Sequence, residues 1–241
     1  MNITSFIIEE SNDWVALNKP SGLLSIPDRV GKDISLKQLL KGRYGEIFTV
    51  HRLDKDTSGL IVFAKNAATH KHLSEQFQDR QARKIYLGLV IGSPMNKTGI
   101  LDGPIAEHPA IKGLMIVHRK GKESVTEYKV LEDFGIYSWL EFRILTGRTH
   151  QIRVHMKDIG HPVVCDKLYG DGKPLLVSSL KARYKLSKKE EEEKPLLNRL
   201  ALHAFQLVFE DLGGRSIELE APLHKDMKAA LQQLFKRKKG N

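Results

Sequence analysis

The sequence has little of what several protein classes require. Its 241 residues include one cysteine, Cys165, which excludes an internal disulfide framework and any zinc site built on paired cysteines. The apolar run 60–64 has five residues, whereas a membrane-spanning helix needs about 20. The first residues have neither the basic start nor the apolar stretch of a secretory signal. We therefore expect a cytoplasmic protein that does not associate with membranes.

Acidic residues are also in deficit, because 39 lysines and arginines face 29 aspartates and glutamates and leave a net charge of +10. This surplus favours an anionic partner, of which nucleic acid is the commonest, although a basic surface can also serve solubility alone. The chain is long enough to bury a core without disulfides or metals. No internal repeat or long linker divides it, so we predict a single catalytic domain over residues 1–241.

Alternation of apolar and polar residues predicts many strands, most clearly over 124–133 and 216–222. The predicted strands are Ser5–Ile8, Trp14–Asn18, Phe48–Arg52, Leu60–Lys65, Lys84–Ile91, Val125–Leu131, Ser138–Leu145, Leu200–Phe209 and Ser216–Glu220. The predicted helices are one capped by Asn66 and ending at Gln78, one capped by Thr149 and ending at Asp158, and one after Pro222. Many strands with few strand–helix alternations predict an α+β fold with a large mixed, mainly antiparallel sheet and flanking helices.

Two segments differ in composition from the rest. The stretch at about 171–199 contains the charged run 188–194 and resembles an insertion. It is either a lid or RNA-gripping element, or a solvated helix with charge pairs four residues apart. The basic C-terminal tail, Lys236–Lys239, is predicted to be a frayed end that attracts phosphates without specificity.

The segment His51–Leu60 combines charged residues with turn-forming residues between two apolar runs. A tight connection explains residues 56–59, because Asp, Thr, Ser and Gly all favour turns. It does not explain His51 and Arg52, which end the preceding run beside the carboxylate of Asp54. The segment therefore indicates a charged functional site.

The sequence HRLDKDTSGLIVFAK at 51–65 resembles the main motif of the RluA-type RNA pseudouridine synthases. Further matches follow the family's order along most of the chain: NKPSGL at 18–23, RKIYLGLV at 83–90, GRTHQIRVH at 147–155, DKLYG at 166–170 and LALHA at 200–204. The sequence is identified as a member of that family without the small N-terminal RNA-binding domain that some members carry. Cys165 departs from the family, which usually has glycine there.

The resemblance implies the pseudouridine synthase fold with a central catalytic cleft. It also implies an isomerase that breaks the N-glycosidic bond of an RNA uridine, rotates the base and rejoins it through carbon 5, with no cofactor and no metal. In this reading Asp54 is the catalytic carboxylate, and Arg153 is the cation that keeps it ionised. Tyr86 stacks on the target base, Arg52 helps to extrude that base from its stack, and Leu202 lines the pocket.

The residues near Arg153 agree with a role beside a carboxylate. Ile152, Met156 and Ile159 form an apolar stripe on the predicted helix. Arg153 lies about 100° round the helix from Ile152, which places it at the edge of the buried face. His150 and His155 are five residues apart, which is not the spacing of a helical zinc pair, so we interpret them as hydrogen-bonding scaffold. The further predicted RNA contacts are His51, Arg80, Arg83, Lys84, Arg148, Lys157 and Lys167, which lie in or beside the motifs.

Two other functions are compatible with parts of the sequence. A metal-dependent hydrolase or transferase would use Asp54 and Asp56 as magnesium ligands, but Lys55 intervenes and no motif places a third ligand. A non-catalytic RNA-binding module or RNA-folding helper would have no need of Asp54. The sequence leaves open whether the target is ribosomal or transfer RNA, and whether Asp54 attacks the sugar, attacks the base or removes a proton. We expect a monomer.

Overall fold

Strands make up most of the regular structure in the computed structural model, which describes residues 2–28, 33–181, 184, 186 and 192–240. The strands are β1 Ile7–Glu10, β2 Trp14–Lys19, β3 Phe48–Thr49, β4 Ser58–Ala64, β5 Arg83–Ile91, β6 Thr98–Leu101, β7 Ile105–Glu107, β8 Met115–Val117, β9 Thr126–Asp133, β10 Tyr137–Ile144, β11 Leu202–Glu210 and β12 Ser216–Glu220. The α-helices are α1 Leu36–Tyr44, α2 Ala67–Gln78, α3 Gln151–Asp158 and α4 Lys225–Gly240.

The chain folds into two compact units, and each is assembled from separate stretches of sequence. The first unit contains Met1–Leu87, Arg143–Thr149 and Leu202–Pro222. The second contains Gly88–Phe142, His150–Ala201 and Leu223–Asn241. The division falls inside β5 and again inside β10, so no linker marks it in the sequence. The single catalytic domain stays a prediction.

The first unit is built on a sheet in which β1, β2, β4 and β11 lie in that order, with β3 beside β4 and β12 beside β11. β2 pairs with β4 in antiparallel fashion along six residues, from Trp14 opposite Ala64 to Lys19 opposite Gly59. β4 and β11 instead run parallel, with Ser58 opposite His203 and Gly59 opposite Ala204. The prediction of an α+β fold with a mixed, mainly antiparallel sheet is confirmed.

The core of the first unit lies between this sheet and α2. It contains the buried side chains of Trp14, Ala16, Leu60, Val62, Leu73, Ala82, Leu207, Phe209, Ile217, Leu219 and Ala221. Helix α2 begins where the sequence predicts, because the Asn66 side chain accepts a hydrogen bond from the Thr69 backbone at 2.8 Å. Helix α2 packs against β4, the strand that follows the Asp54 loop.

In the second unit β10, β9 and β6 are neighbours in that order, and β7 and β8 form a separate two-stranded sheet. A small core joins this sheet to α3 through buried Ile105, Val154 and Tyr169. In the predicted insertion at about 171–199, Leu175 and Leu197 bridge as antiparallel residues. Most of the charged run 188–194 lies outside the described residues, and the two interpretations of it stay open.

The structure differs from the sequence predictions at several elements. The predicted strand Phe48–Arg52 ends at Thr49, and the short strands β6, β7 and β8 were not predicted. The predicted strand Ser5–Ile8 is wrong at its start, because Asn2 caps a short 3-10 turn over Ile3–Phe6. Helix α1 was not predicted, although Ser35 and Gln38 form a reciprocal capping box at its start. Helix α3 has His150 at its cap position, one residue later than the predicted Thr149.

Cys165 adopts a left-handed backbone conformation with φ at 59°. This conformation favours glycine because it is strained for residues with a side chain. The sequence departs from the family at Cys165, where the family usually has glycine, and the backbone at this position is one that suits glycine. The buried thiol lies 3.4 Å from the Leu197 carbonyl oxygen, to which it donates.

Candidate active site

The loop that carries Asp54 is attached to the loop after β2 by a buried lysine. The Lys19 side chain is fully buried, and its Nζ donates hydrogen bonds to three backbone carbonyl oxygens. The acceptors are Pro20 at 3.1 Å, Leu23 at 2.7 Å and Lys55 at 3.0 Å. Because one acceptor follows Asp54 directly, Lys19 fixes the backbone at the candidate catalytic residue.

Further bonds join the same two loops on both sides of Asp54. The Ser25 hydroxyl donates to the Leu53 carbonyl at 2.8 Å and accepts from the Leu53 amide at 3.0 Å. The Gly22 amide donates to the Lys55 carbonyl at 2.9 Å, and the Ser21 hydroxyl donates to the Asp56 carbonyl at 2.6 Å. The NKPSGL motif at 18–23, together with Ser25, thus holds the Asp54 loop in one conformation.

Asp54 and Tyr86 interact electrostatically in the first unit. The Asp54 side chain is partly exposed, whereas Tyr86 on β5 is buried. Burial raises the pKa of the Tyr86 phenol well above its usual range, and the negative charge of Asp54 raises it further. The phenol is therefore protonated at neutral pH, and its ring lies within the field of the candidate carboxylate.

Arg52 connects two of the sequence motifs. Its guanidinium donates to the Thr149 hydroxyl at 3.2 Å, and most of the side chain is exposed. Thr149 belongs to the GRTH stretch that precedes α3. The predicted base-extruding arginine is thus tethered at one end and accessible to RNA.

His51 is held as a neutral ring. Its Nε2 accepts a hydrogen bond from the Val62 amide at 3.1 Å, and the ring stacks on Phe77 at 4.5 Å between centroids. Burial, followed by the positive charge of Lys84, lowers the pKa of His51 to about 3. A neutral His51 adds no positive charge to an RNA-binding surface, and its predicted contact with RNA stays a prediction.

Leu202 and His203 begin β11 beside the same loop. Leu202 is buried, as expected of a residue that lines a pocket or a core. His203 lies 3.0 Å from the Ala221 carbonyl through Nε2 and 2.9 Å from the Ser58 hydroxyl through Nδ1. Because a carbonyl only accepts, Nε2 carries the proton and Nδ1 accepts from Ser58. His203 thereby links the start of β4 to the end of β12.

Arg153, in the second unit, is more buried than the sequence predicts. Only 6% of it is exposed, and its guanidinium makes a two-point ion pair with the Asp166 carboxylate, at 2.7 and 2.8 Å. Every residue from Gln151 to Met156 is buried, so the predicted edge position is wrong: the first six residues of the helix are covered on all sides, whereas Lys157 and Asp158 are exposed. The predicted ion pair of Arg153 with Asp54 stays a prediction.

The Asp166 carboxylate is well matched to this arginine. It also accepts from the backbone amides of Leu168 at 2.9 Å and Tyr169 at 3.1 Å. These bonds and the arginine outweigh the effect of burial and hold the pKa of Asp166 below its usual value. The Tyr169 ring lies 4.9 Å from the guanidinium carbon and completes a rigid cradle for Arg153.

Comparisons with known proteins show the family to which the chain belongs. A model of the RNA pseudouridylate synthase family matches residues 13–158. Ribosomal large subunit pseudouridine synthase D of Haemophilus ducreyi is 37% identical over 240 residues, which cover 97% of this chain and 71% of that protein. The protein of the same name from Escherichia coli strain K12 is 36% identical over 228 residues, covering 92% and 68%.

The chain belongs to the RluA-type RNA pseudouridine synthases. Among solved structures, human RNA pseudouridylate synthase domain containing 4 matches with a TM-score of 0.74 and 26% identity, covering 97% of this chain and 94% of that one. The enzyme is therefore an isomerase that converts uridine to pseudouridine in RNA. Membership of a catalytic family disfavours the alternative of a non-catalytic RNA-binding module.

The other predicted RNA contacts of this pseudouridine synthase have varied surroundings. Arg83 is exposed and lies 3.5 Å from both the Gln206 side chain and the Glu218 carboxylate. Lys84 is partly buried, and burial lowers the pKa of its amine. Arg148 is partly exposed, and Lys167, in the second unit, is exposed. None of these environments prevents a phosphate contact, and the RNA-binding roles stay predictions.

His150 and His155 of the synthase take the scaffold role that their spacing indicates. His150 Nδ1 lies 2.8 Å from the Tyr169 hydroxyl, which accepts from the Met115 amide at 2.9 Å. His155 is buried between the Thr126 hydroxyl at 3.0 Å and the Gly103 carbonyl at 2.8 Å.

Across the described residues, no three His, Cys, Asp or Glu side chains are grouped to hold a metal ion. None of the helices described is long and apolar enough to span a bilayer.

Sequence reasoning missed the residues that hold the site. Lys19, Ser25, Asp166 and His203 were not among the candidates, although each lies in or beside a recognised motif. A lysine in an otherwise apolar strand ending, as in WVALNKP, was the available signal for Lys19, because a buried lysine must find several acceptors.

The low pKa of His51 predicts an acid-sensitive fold. The unfolded-state pKa is about 6.5 and the folded value is about 3, so protons bind the unfolded chain more tightly between those values. The contribution of a neutral His51 is fully present above pH 6.5 and is lost as pH falls towards 3. We expect this residue to reduce the free energy of unfolding by about 2 kcal/mol between pH 7 and pH 5, at 1.36 kcal/mol per pH unit.

The measurement is urea unfolding of wild type and His51→Gln at pH 7 and pH 5. The glutamine amide oxygen can accept from the Val62 amide but does not titrate, so the variant should lose less stability on acidification. If both proteins lose the same stability, other groups cause the acid sensitivity.

Proposed function

We propose that the substrate of this synthase is a uridine in the RNA of the large ribosomal subunit. This proposal is supported by two relatives that cover most of the chain and are named as ribosomal large subunit pseudouridine synthases. Transfer RNA is the other substrate that the sequence leaves open.

We infer that Asp54 is the carboxylate that drives the reaction and that Tyr86 stacks on the target base. The observation that carries this inference is the clamp on the Asp54 loop: Lys19 and Ser25 fix the backbone on both sides of a carboxylate that remains partly exposed. A carboxylate on a preorganised loop needs little reorganisation to reach a reacting atom. The charge of Asp54 also reaches Tyr86, which supports a role for both at one base.

In the proposed reaction the glycosidic bond of the uridine breaks, the uracil rotates, and carbon 5 bonds to the ribose. The hydrogen on carbon 5 then leaves as a proton, so no oxidant or reductant takes part. Asp54 attacks the sugar, attacks the base or removes a proton, and all three routes need the same ionised group. Arg153 is proposed to supply positive charge to Asp54, and its ion pair with Asp166 would hold the guanidinium in one orientation.

Arg52, Leu202, Arg83, Lys84, Arg148 and Lys167 are proposed to contact the RNA around the target. The basic residues would bind phosphates, whereas buried Leu202 would pack against the extruded base. We also propose that the enzyme is a monomer and acts in the cytoplasm. Light scattering of the free enzyme tests whether it is a monomer.

The test of the proposed substrate is tritium release from RNA labelled at carbon 5 of uracil. Unmodified transcripts of bacterial large-subunit ribosomal RNA and of a transfer RNA mixture are incubated separately with the enzyme, in the presence of a chelator. We expect release from the ribosomal transcript and little from the transfer RNA mixture, because of the two relatives' named substrates. The reverse pattern would assign the enzyme to transfer RNA, and release from neither would contradict the proposal for these RNAs.

A further inference from the structure

Helix α4 presents a row of lysines along one exposed face. Five exposed residues follow one another on this face at intervals of three or four: Lys225, Lys228, Gln232, Lys236 and Lys239. All but Gln232 are lysines. Residues at those intervals lie above one another on a helix surface. The row is about 21 Å long, from a rise of about 1.5 Å per residue. We call Lys225, Lys228, Lys236 and Lys239 the lysine face.

The remainder of α4 is anchored within the second unit. Met227, Ala230 and Leu234 are buried, with at most 2% of each exposed. At the C-terminal end Phe235 packs edge-on against Phe134 at 5.1 Å, and Lys238 pairs with Glu132. The predicted frayed basic tail is therefore wrong, because the helix continues to Gly240 and its end is held.

The positive charge of α4 is not balanced. Its 16 residues contain six basic residues and one acidic residue, Asp226, so this helix carries a net +5 of the chain's +10. Asp226 is engaged by Arg199 in two contacts of 2.6 and 2.7 Å. Within the described part of the chain, no member of the lysine face has a carboxylate at ion-pair distance. A merely solvated helix usually alternates charges of both signs.

Helix stability does not account for this placement either. Cations near the C-terminus of a helix interact favourably with its dipole, which suits Lys236 and Lys239. Lys225 and Lys228 lie in the first turn, where the dipole opposes a cation by about 0.3–1 kcal/mol each. Two lysines thus lie where they weaken the helix, which indicates that the charge of the lysine face has a use other than helix stability.

We propose that the lysine face binds the phosphate backbone of the RNA substrate. The inference rests on the proposed function only in taking RNA as the substrate. The face carries two pairs of lysines separated by about 12 Å along the helix, an arrangement that suits the phosphates of one strand and carries no sequence preference. An anionic membrane is the less suitable partner, because interfacial helices bury their apolar face in lipid and that face of α4 is already buried in the protein.

The test uses the full-length enzyme with all four lysines of the face replaced by glutamine. The matched control replaces Lys41, Lys71, Lys129 and Lys173 by glutamine, since these are exposed and have no ion pair with any described residue. Affinity for the unmodified large-subunit transcript is measured over 0.05–0.3 M salt (about the range in which phosphate contacts weaken most). Tritium release gives kcat and KM for the same proteins.

We expect the lysine-face variant to bind at least about tenfold more weakly at low salt. Its slope of log affinity against log salt should be shallower by about 3, from four contacts at about 0.7–0.9 each. The value of kcat at saturating RNA should stay within about twofold of wild type, because the face is not part of the reacting site. The control variant should lose little of the salt slope, and replacement of the four lysines by arginine should preserve binding.

Three outcomes would overturn the proposal. The lysine-face variant could bind the transcript as tightly as wild type, or the lysine-face and control variants could lose equal affinity for it. The lysine-face variant could also lose binding to phosphatidylserine vesicles but not to the transcript. Unfolding midpoints of the variants are compared so that lost structure is not taken for lost contacts. If wild type binds RNA through the lysine face but releases no tritium, the proposed substrate fails and the surface stands. If wild type releases tritium but the lysine-face variant binds RNA as the control variant does, only the proposed role of the lysine face is contradicted.

Discussion

Replacing Asp54 by asparagine is expected to reduce turnover at least about 10⁴-fold, which corresponds to about 5.4 kcal/mol of activation free energy. Asparagine keeps the shape of the side chain but is neither a nucleophile nor a base. RNA affinity should change by less than about threefold, because phosphate contacts supply most of it. Tritium release under single-turnover conditions, together with a binding titration, measures the two effects separately.

The matched control is Asp56→Asn, two residues along the same loop. Asp56 is exposed, and its backbone carbonyl rather than its carboxylate holds the loop to Ser21. We expect this variant to retain most of the activity. Equal inactivation of both variants would favour a metal held by the two carboxylates, and the effect of a chelator on wild type would then decide. Asp54→Ala guards against activity that arises from deamidated asparagine.

An active Asp54→Asn enzyme would contradict the assignment of the catalytic carboxylate. It would not contradict membership of the family, which rests on residues along most of the chain. In that case the clamp formed by Lys19 and Ser25 would need another purpose. The result therefore tests the site and not the fold.

The elements that the sequence predicts accurately are those with local causes. Helix α2 runs from Ala67 to Gln78 as predicted, because Asn66 supplies a cap and apolar residues recur on one face. Strand β12 matches the predicted Ser216–Glu220 because alternate residues are buried. The short connection between β9 and β10 has the same kind of cause, because turn residues separate two alternating runs.

The features that the sequence predicts poorly depend on distant partners. Arg153 is placed at a helix edge by periodicity, but the surroundings of α3 bury it and Asp166 compensates its charge. Phe48–Arg52 is predicted as one strand, but β3 ends at Thr49 and the residues after it form the loop of the site. Periodicity describes one element at a time and contains no information on what packs against it.

The site shows the same division. Asp54, Tyr86 and Arg52 are found from motifs, because their chemistry is visible in the residue types. Lys19 and His203 are not found, because their roles consist of bonds to the backbone carbonyls of Lys55 and Ala221. Such supports leave a weak sequence signal, although the geometry of the site depends on them.

Gly59 is the position where a single added methyl group should do most damage. A Cβ built on Gly59 would lie 2.2 Å from the Ala204 carbonyl oxygen and 2.6 Å from its nitrogen, and φ at Gly59 is +110°. Both neighbours are backbone atoms in the parallel pair of β4 and β11, so relief requires the strands to separate. We expect Gly59→Ala to cost about 4 kcal/mol or more, as overpacking and backbone strain are each worth about 1–3 kcal/mol.

Urea unfolding measures this cost, and Gly214→Ala separates its two causes. Gly214 also has a positive φ, +77°, but nothing lies within 4 Å of its added Cβ. That variant should therefore lose only the strain contribution, about 1–2 kcal/mol. A loss at Gly59 no larger than the loss at Gly214 would mean that β4 and β11 can move apart easily. Since Ser58 bonds to His203 across this pair, such freedom would also loosen the start of β4, which follows the Asp54 loop.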